Sequence, residues 1–112
     1  MSMIVKNPSI FIYTNHPDQR LLGEVCAGIE EEGVFFEVFE RGTGDIDALA
    51  YEAANDSMMG SGIGMDQNQV ALQMKGIPKG KNVEFYEMPD EAQCRKIGAN
   101  SARAIKKMPF KS

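Results

Sequence analysis

The feature that most restricts how this chain can fold is an alternation of short apolar runs with helical periodicity. Residues 9–14, SIFIYT, are β-branched and aromatic, which predicts a buried strand. After Pro17, apolar residues recur at spacings of three and four as far as Ile29, which predicts an amphipathic helix. Residues 34–39 predict a second strand, and residues 45–55 predict a second helix. Strands that alternate with helices in this way form a parallel sheet with helices on its faces.

The second half of the chain predicts three further strands and one helix. The predicted strands cover residues 62–66, 69–74 and 83–88. The first two are joined by a tight turn at Gln67 and Asn68, which is typical of a β-hairpin. In the third of these strands, Phe85 is expected to face inward. Asp90 caps the last helix, which ends before Pro109.

The order β-α-β-α-β-β-β-α predicts a single three-layer α/β/α domain over residues 1–112. Its ordered core is expected at about residues 8–108, with frayed ends outside it. The sheet should contain about five strands and be mostly parallel. The hairpin forces one strand to run antiparallel to the others. The fold class is therefore α/β with a mixed sheet.

Charge and cysteine usage narrow the classes of partner. The formal net charge is −4, whereas nucleic acids and anionic membranes require a basic surface, so neither is an expected partner. We see no apolar stretch long enough to cross a bilayer and no secretory signal in the first residues.

Cys26 and Cys94 lie in apolar helical contexts, which predicts two buried free thiols in a reducing cytosol. The chain also lacks the cysteine and histidine spacing of a zinc site.

Two glycine-rich segments raise the question of phosphate binding. Gly42 and Gly44 lie between a predicted strand and a predicted helix, as in a dinucleotide fingerprint. The third position of that fingerprint is Asp47, and Asp45 adds a second negative charge where a pyrophosphate would bind. The other segment, residues 60–64, precedes a strand rather than a helix. The sequence therefore favours turns and close backbone approach as the role of these glycines.

The remaining polar candidates fit structural roles better than catalytic ones. His16 has no serine or cysteine at a recognisable catalytic spacing and fits a strand-to-helix turn. Asp66 lies beside the predicted hairpin turn, where aspartate commonly bonds the backbone. A methionine-rich patch fits either the core or an adaptable interface, with the core favoured. Its members are Met58, Met59, Met65 and Met74.

Three consecutive carboxylates at the end of the first helix are the unusual feature. Glu30, Glu31 and Glu32 precede Gly33, a natural helix cap. Negative charge at the carboxyl end of a helix opposes the helix dipole. One interpretation is a solvated helix end. The other is that a carboxylate meets a cation or a basic group of a partner, since a hard divalent ion readily takes carboxylate oxygen.

Several segments resemble one known family. Residues 26–34 (CAGIEEEGV), 42–50 (GTGDIDALA), 60–72 (GSGIGMDQNQVAL) and 96–106 (KIGANSARAIK) are similar to the small subunit of the coenzyme-B12-dependent diol and glycerol dehydratase reactivating factors. The resemblance covers nearly the whole chain in the same order. The medium subunit of the dehydratase itself is also similar, but it carries additional sequence.

The resemblance implies a chaperone-like, non-catalytic subunit. In this family the small subunit pairs with a large ATPase-like subunit that binds ATP and ADP, and a heterotetramer is expected. The factor binds diol or glycerol dehydratase that has been inactivated by damaged cobalamin. The small subunit then exchanges with the dehydratase medium subunit, and the damaged cofactor is released.

The resemblance also assigns a role to the carboxylates. The family glutamate that helps to hold a divalent ion, Mg²⁺ for example, at the large-subunit interface matches Glu31. The neighbouring Glu30 and Glu32 leave the register of this match open by one residue. No catalytic residue and no cofactor of its own is implied. Gly98 and Asn100 are expected to permit tight packing of the last helix on the sheet.

Two alternative functions remain open at this point. One is a medium-subunit-like structural component of a cobalamin-dependent dehydratase, and the other is a small stand-alone enzyme of flavodoxin-like fold. The expected location is the cytoplasm, either free or with a bacterial microcompartment. Self-association of the isolated chain through its partner surface is a further expectation. The residues leave open whether the client acts on propanediol or glycerol, and which surface faces the large subunit.

Overall fold

The computed structural model describes residues 8–112, which fold as strands and helices in the predicted order. The elements are β1 (Ile10–Asn15), α1 (Gln19–Glu31), β2 (Phe36–Glu40), α2 (Ile46–Asp56), β3 (Ser61–Asp66), β4 (Gln69–Met74), β5 (Glu84–Glu87) and α3 (Glu91–Ile105). The first seven residues of the predicted domain lie outside the described part. None of the helices within residues 8–112 has the length and apolarity that spanning a bilayer requires.

The five strands form one mixed sheet in the order β2-β1-β3-β4-β5. β1 lies in the middle of three parallel strands, between β2 and β3. The hairpin turns β4 antiparallel to β3, and β5 is antiparallel to β4 in turn. β4 is therefore the one described strand that opposes the other four, which confirms the predicted mixed sheet.

Helices cover both faces of the sheet. Ile10 and Ile12 point to one face, where they join the main core beneath α1 and α3. Phe11 and Tyr13 point to the other face, where they pack with Leu49 of α2. Because successive strand side chains alternate between faces, β1 is covered on both sides. The three-layer arrangement predicted from the sequence follows from these contacts.

Two glycines of β3 let α2 approach the sheet closely. A Cβ at Gly62 would lie 2.1 Å from the backbone nitrogen of Ala54. A Cβ at Gly64 would lie 2.5 Å from the backbone nitrogen of Ala50. Both distances are far below van der Waals contact, so only glycine fits at these positions. The sequence prediction that these glycines serve close backbone approach is confirmed.

Gly98 has a different role from the predicted one. It packs against another helix rather than against the sheet, since a Cβ there would lie 2.1 Å from the carbonyl oxygen of Val25 in α1. Gly28 is its counterpart on α1, where a Cβ would lie 2.2 Å from the carbonyl oxygen of Arg95. The expectation of helix-to-sheet packing at Gly98 is therefore wrong. These two glycines set the separation between α1 and α3.

Asn100 likewise does more than permit packing. Its side chain is buried, and its Nδ2 donates to the Glu84 carboxylate at 2.9 Å. Its Oδ1 accepts from the backbone nitrogen of Lys111 at 2.7 Å. Arg103 donates to the carbonyl oxygen of Pro109 at 3.0 Å. The carboxyl end of the chain, which was predicted to fray, is held against α3 by these bonds.

Phe85 is exposed, contrary to the prediction that it faces inward. Its side chain is 41% exposed, because β5 is an edge strand and α2 packs on β1, β3 and β4 instead. The next residue, Tyr86, packs against the main core on the opposite face. There, the Lys96 ammonium lies 5.2 Å from the centre of its ring. The strand was placed correctly, but its inward face was assigned to the wrong residues.

The two cysteines are free, as predicted from their helical contexts. Cys94 is fully buried, and Cys26 is half-buried. Burial raises the pKa of each thiol to about 11, and nearby carboxylates add to the shift. Both groups therefore remain protonated at neutral pH, and they behave as small apolar side chains.

The contact between α1 and α3 makes the substitution Gly98→Ala a direct test of this packing. The added methyl group meets rigid backbone, so we expect a loss of roughly 1–3 kcal/mol in the free energy of unfolding. Gly23→Ala in α1 is the matched control, because a Cβ there meets nothing within 4 Å. The control should be neutral or stabilise by up to about 1 kcal/mol through helix propensity. Urea denaturation of both variants measures the difference, and equal stabilities would contradict the packing described here.

Candidate functional site

The candidate site lies at the carboxyl end of α1. Asp18 caps the start of this helix by accepting from the backbone nitrogen of Leu21 at 3.0 Å. At the other end Gly33 adopts a φ of +72°, and its nitrogen donates to the carbonyl oxygen of Glu30 at 3.0 Å. The predicted glycine cap is confirmed. The helix therefore stops with all three glutamates in its last turn and at its cap.

Glu32 is tied into the fold by two cations of α3. Lys106 donates to its backbone carbonyl at 2.7 Å and to its carboxylate at 3.2 Å. Arg103 donates to the same carboxylate at 3.2 Å. Burial alone would raise the pKa of Glu32, but the hydrogen bond from Lys106 and the charge of Arg103 hold that pKa below its usual value. The helix dipole is thus offset by the chain's own cations.

Glu31 forms a more open ion pair. Its carboxylate accepts from Arg95 Nη1 at 2.5 Å, while Arg95 Nη2 contacts the Glu24 carboxylate at 2.8 Å. The hydrogen bonds that Arg95 donates to Glu31 and then to Glu24 raise the pKa of its guanidinium. Both side chains of the Glu31–Arg95 pair are exposed, and exposed ion pairs contribute little to stability.

A ladder of ion pairs joins α1 and α3, which run parallel. The ion pairs are Arg20–Glu91, Glu24–Arg95 and Glu32–Arg103, and the two residues of each pair are 71 positions apart in the sequence. The close helix contact at Gly28 and Gly98 brings these long side chains within reach of one another. These partners were not predicted from the sequence, although both helices carry charges at matching spacings. The matching spacing brings opposite charges together only because the two helices run parallel.

Glu30 borders an apolar groove beside the same helix end. The groove has a volume of about 400 Å³ and is lined by Glu30, Gly33, Val34, Phe35 and Phe36. The Phe35 side chain is 59% exposed, which is unusual for phenylalanine in a soluble domain. The segment that contains Phe35 was predicted to be a strand, and its exposed aromatic surface was not predicted. Within residues 8–112, no three or more His, Cys, Asp or Glu side chains are grouped to hold a metal ion.

The glycine-rich turn before α2 is filled by carboxylates of the chain itself. Asp45 caps α2 by accepting from the backbone nitrogen of Ala48 at 2.8 Å, as predicted. Glu40 accepts from the backbone nitrogen of Gly42 at 2.8 Å and from that of His16 at 3.1 Å. Burial would raise the pKa of Glu40, but its hydrogen bonds from Thr14, His16 and Gly42 lower it. The free amide groups of this turn therefore already donate to a negatively charged group of the chain itself, the Glu40 carboxylate.

The other polar candidates take structural positions. Asp66 accepts from the backbone nitrogens of Asn68 and Gln69 at 2.8 Å each, which confirms its role in the hairpin turn. His16 lies in the turn between β1 and α1 with a φ of +50°. The methionine patch is divided, because Met65 is buried in the core and Met58 is exposed. The sequence interpretation of this patch as core is therefore correct for only part of it.

Sequence comparison relates the whole chain to one family. The model of the dehydratase medium subunit family matches residues 7–111. The propanediol dehydratase-reactivating factor small subunit of Citrobacter freundii is 31% identical over 99% of this chain and 97% of its own length. The corresponding protein of Salmonella typhimurium is 33% identical over 93% of this chain and 90% of its own length. The match therefore runs from one end of the chain to the other.

Structural comparison leads to the same family. A chain in the structure of diol dehydratase-reactivating factor complexed with ADP and Mg²⁺ superposes with a TM-score of 0.89 and 30% identity. That superposition covers 96% of this chain and all of the other. A chain of glycerol dehydratase reactivase gives the same TM-score with 26% identity, over 95% of this chain and 98% of its own. The chain belongs to the dehydratase medium subunit family, and over nearly its whole length it is similar to the small subunits of diol and glycerol dehydratase-reactivating factors.

Proposed function

We propose that this chain is the exchangeable small subunit of an ATP-dependent factor that frees inactivated diol or glycerol dehydratase of damaged cobalamin. Its partner is a large ATPase-like subunit, in a heterotetramer located in the cytoplasm or with a microcompartment. The chain itself has a binding role rather than a catalytic one. The end-to-end similarity to reactivating-factor small subunits supports this role.

One observation carries the exchange mechanism. The family model that matches residues 7–111 is named for the dehydratase medium subunit, whereas the similar proteins are small subunits of reactivating factors. One fold is therefore shared by a subunit of the factor and a subunit of its client. Two domains with the same fold and a similar surface can compete for one partner. In the proposed cycle, the small subunit leaves the large subunit, which then takes up the medium subunit of the inactivated dehydratase.

A second candidate function rests on the same family name. A medium-subunit-like component of a dehydratase would pair with the other dehydratase subunits instead of an ATPase-like subunit. The similarity to reactivating-factor small subunits over nearly their whole length favours the first proposal. The proteins that accompany the chain during purification distinguish the two.

Within the proposed complex, Glu31 is the carboxylate that meets a divalent ion at the large-subunit interface. The geometry of the three glutamates supports this choice, because Glu32 is committed to Arg103 and Lys106 and is only 9% exposed. Glu31 offers an exposed carboxylate, which in this proposal exchanges Arg95 for the divalent ion. Hard carboxylate oxygen suits Mg²⁺, and a related factor was solved with ADP and Mg²⁺. The nucleotide belongs to the large subunit in this proposal.

Replacing Glu31 tests the metal assignment. Glu31→Gln keeps the size of the side chain but removes its charge, so affinity for the large subunit should fall roughly tenfold. Magnesium should strengthen binding of the unaltered chain and have no effect on the variant. Isothermal titration with the large subunit, at low and normal magnesium, measures both effects.

Glu30→Gln is the matched control for this experiment, since it removes the neighbouring charge from the same helix end. The control should keep its response to magnesium, whatever its affinity for the large subunit. If Glu30→Gln loses that response while Glu31→Gln retains it, the register is shifted by one residue. Equal responses of both variants and the unaltered chain would reject a metal-binding role for this helix end.

The exchange mechanism predicts a nucleotide-dependent change of partner. Tagged chain purified from its native host should bring down an ATPase-like subunit in the absence of ATP. Adding ATP together with inactivated dehydratase should release that subunit, because the dehydratase medium subunit takes the place of the small one. Mass spectrometry of the bound and released fractions identifies the proteins. Recovery of dehydratase subunits alone would instead support the second candidate function.

A further inference from the structure

Both edges of the sheet carry exposed apolar side chains, which at the β5 edge are Val83, Phe85 and Met88. Exposed strand edges pair readily with other chains, so proteins shorten them or place charges on them. β5 has only four residues, and its Glu84 carboxylate accepts from Asn100 of α3 and from Tyr86 of β5 itself. At the opposite edge, β2 is longer and is flanked by exposed apolar side chains. These are Phe35, Val38 and Phe39.

The outer edge of β2 also presents unused backbone groups. The carbonyl oxygen of Phe35 accepts from Ile10 at 3.0 Å, and the nitrogen of Arg41 donates to Thr14 at 2.8 Å. Backbone groups alternate between the two sides of a strand, so the odd-numbered residues of β2 face β1. The N–H and C=O of Val38 consequently face away from the sheet.

This edge is continuous with the acidic end of α1. The groove of about 400 Å³ connects Glu30 to Phe35 and Phe36, where β2 begins. Glu31 lies beside Glu30 on the helix, and Glu37 lies within the strand. The surface is thus an apolar strand edge with an acidic rim.

We propose that the β2 edge, together with the groove beside Glu30, is the surface that docks the large subunit of the factor. This inference rests on the proposed function and adds the location of the interface and its mode of recognition. The large subunit would contribute an extended segment that pairs with the backbone of β2, which is a common way to recognise a sheet edge. Basic side chains on that segment match the acidic rim.

Charge is the reason for choosing this occupant over a second copy of the chain. Two copies paired through β2 would bring two acidic rims, each with Glu30, Glu31 and Glu37, close together. Like charges across an interface are unfavourable, whereas a basic segment of a different protein is attracted. The same groups that weaken self-pairing therefore favour the heterologous partner.

Three variants test the docking surface. Phe35→Ser removes an exposed aromatic side chain, and Val38→Pro removes an N–H that faces away from β1. Each should weaken binding to the purified large subunit by roughly tenfold or more. Phe85→Ser is the matched control, because it removes an exposed phenylalanine from the opposite edge, and it should change binding by less than about twofold. Titration calorimetry gives the affinities, and circular dichroism melting shows that each variant is folded.

The outcomes separate this inference from the proposed function. If the unaltered chain fails to bind the large subunit, both are overturned. If it binds and Phe35→Ser binds equally well, the docking surface is wrong and the proposed function stands. If Phe85→Ser is the weaker binder, the interface lies at the β5 edge. Sedimentation of the chain alone shows whether it forms a dimer. If Phe35→Ser abolishes a dimer but leaves binding to the large subunit intact, the inference is also overturned.

Discussion

The close contact between α1 and α3 is the constraint on which the candidate site depends. Gly28 and Gly98 allow the backbones of the two parallel helices to approach to a distance that no side chain would permit. That approach brings charges at matching positions of the two helices into contact. The glutamates at the end of α1 therefore have a defined environment, although they lie at the surface of a small domain.

This environment gives three adjacent carboxylates three different roles. Glu32 is buried against Arg103 and Lys106 and helps to terminate the helix. Glu31 forms an exposed pair with Arg95. Glu30 borders the groove that leads to β2. A helix end that is unfavourable in isolation thus combines a structural charge, an exposed charge and the rim of an apolar groove.

The proposed exchange of partners would place two demands on the surface of the domain. The surface must bind firmly enough to form a complex but must also release when a competing domain arrives. Exposed ion pairs and an open strand edge meet these demands better than a large buried core would, since each contributes modestly. In this chain both features lie next to each other, at the end of α1 and along β2.

The order of strands and helices, the mixed sheet and the helix caps at Asp45, Asp90 and Gly33 were all predictable from the sequence. These features depend on local periodicity and on backbone chemistry within a few residues. The family and the candidate residue Glu31 were predicted from a resemblance, because the motifs of the family occur in the same order along this chain.

The tertiary structure alone decided which surfaces face each other. It assigned Gly98 to helix packing rather than to the sheet, paired the glutamates with α3 and left Phe85 exposed on an edge strand. The ion-pair partners lie 64 to 74 positions apart, and no local sequence pattern spans that separation. The sequence determined the elements of this domain because they form through short-range interactions. Their mutual placement required the packed fold, since only packing brings distant residues together.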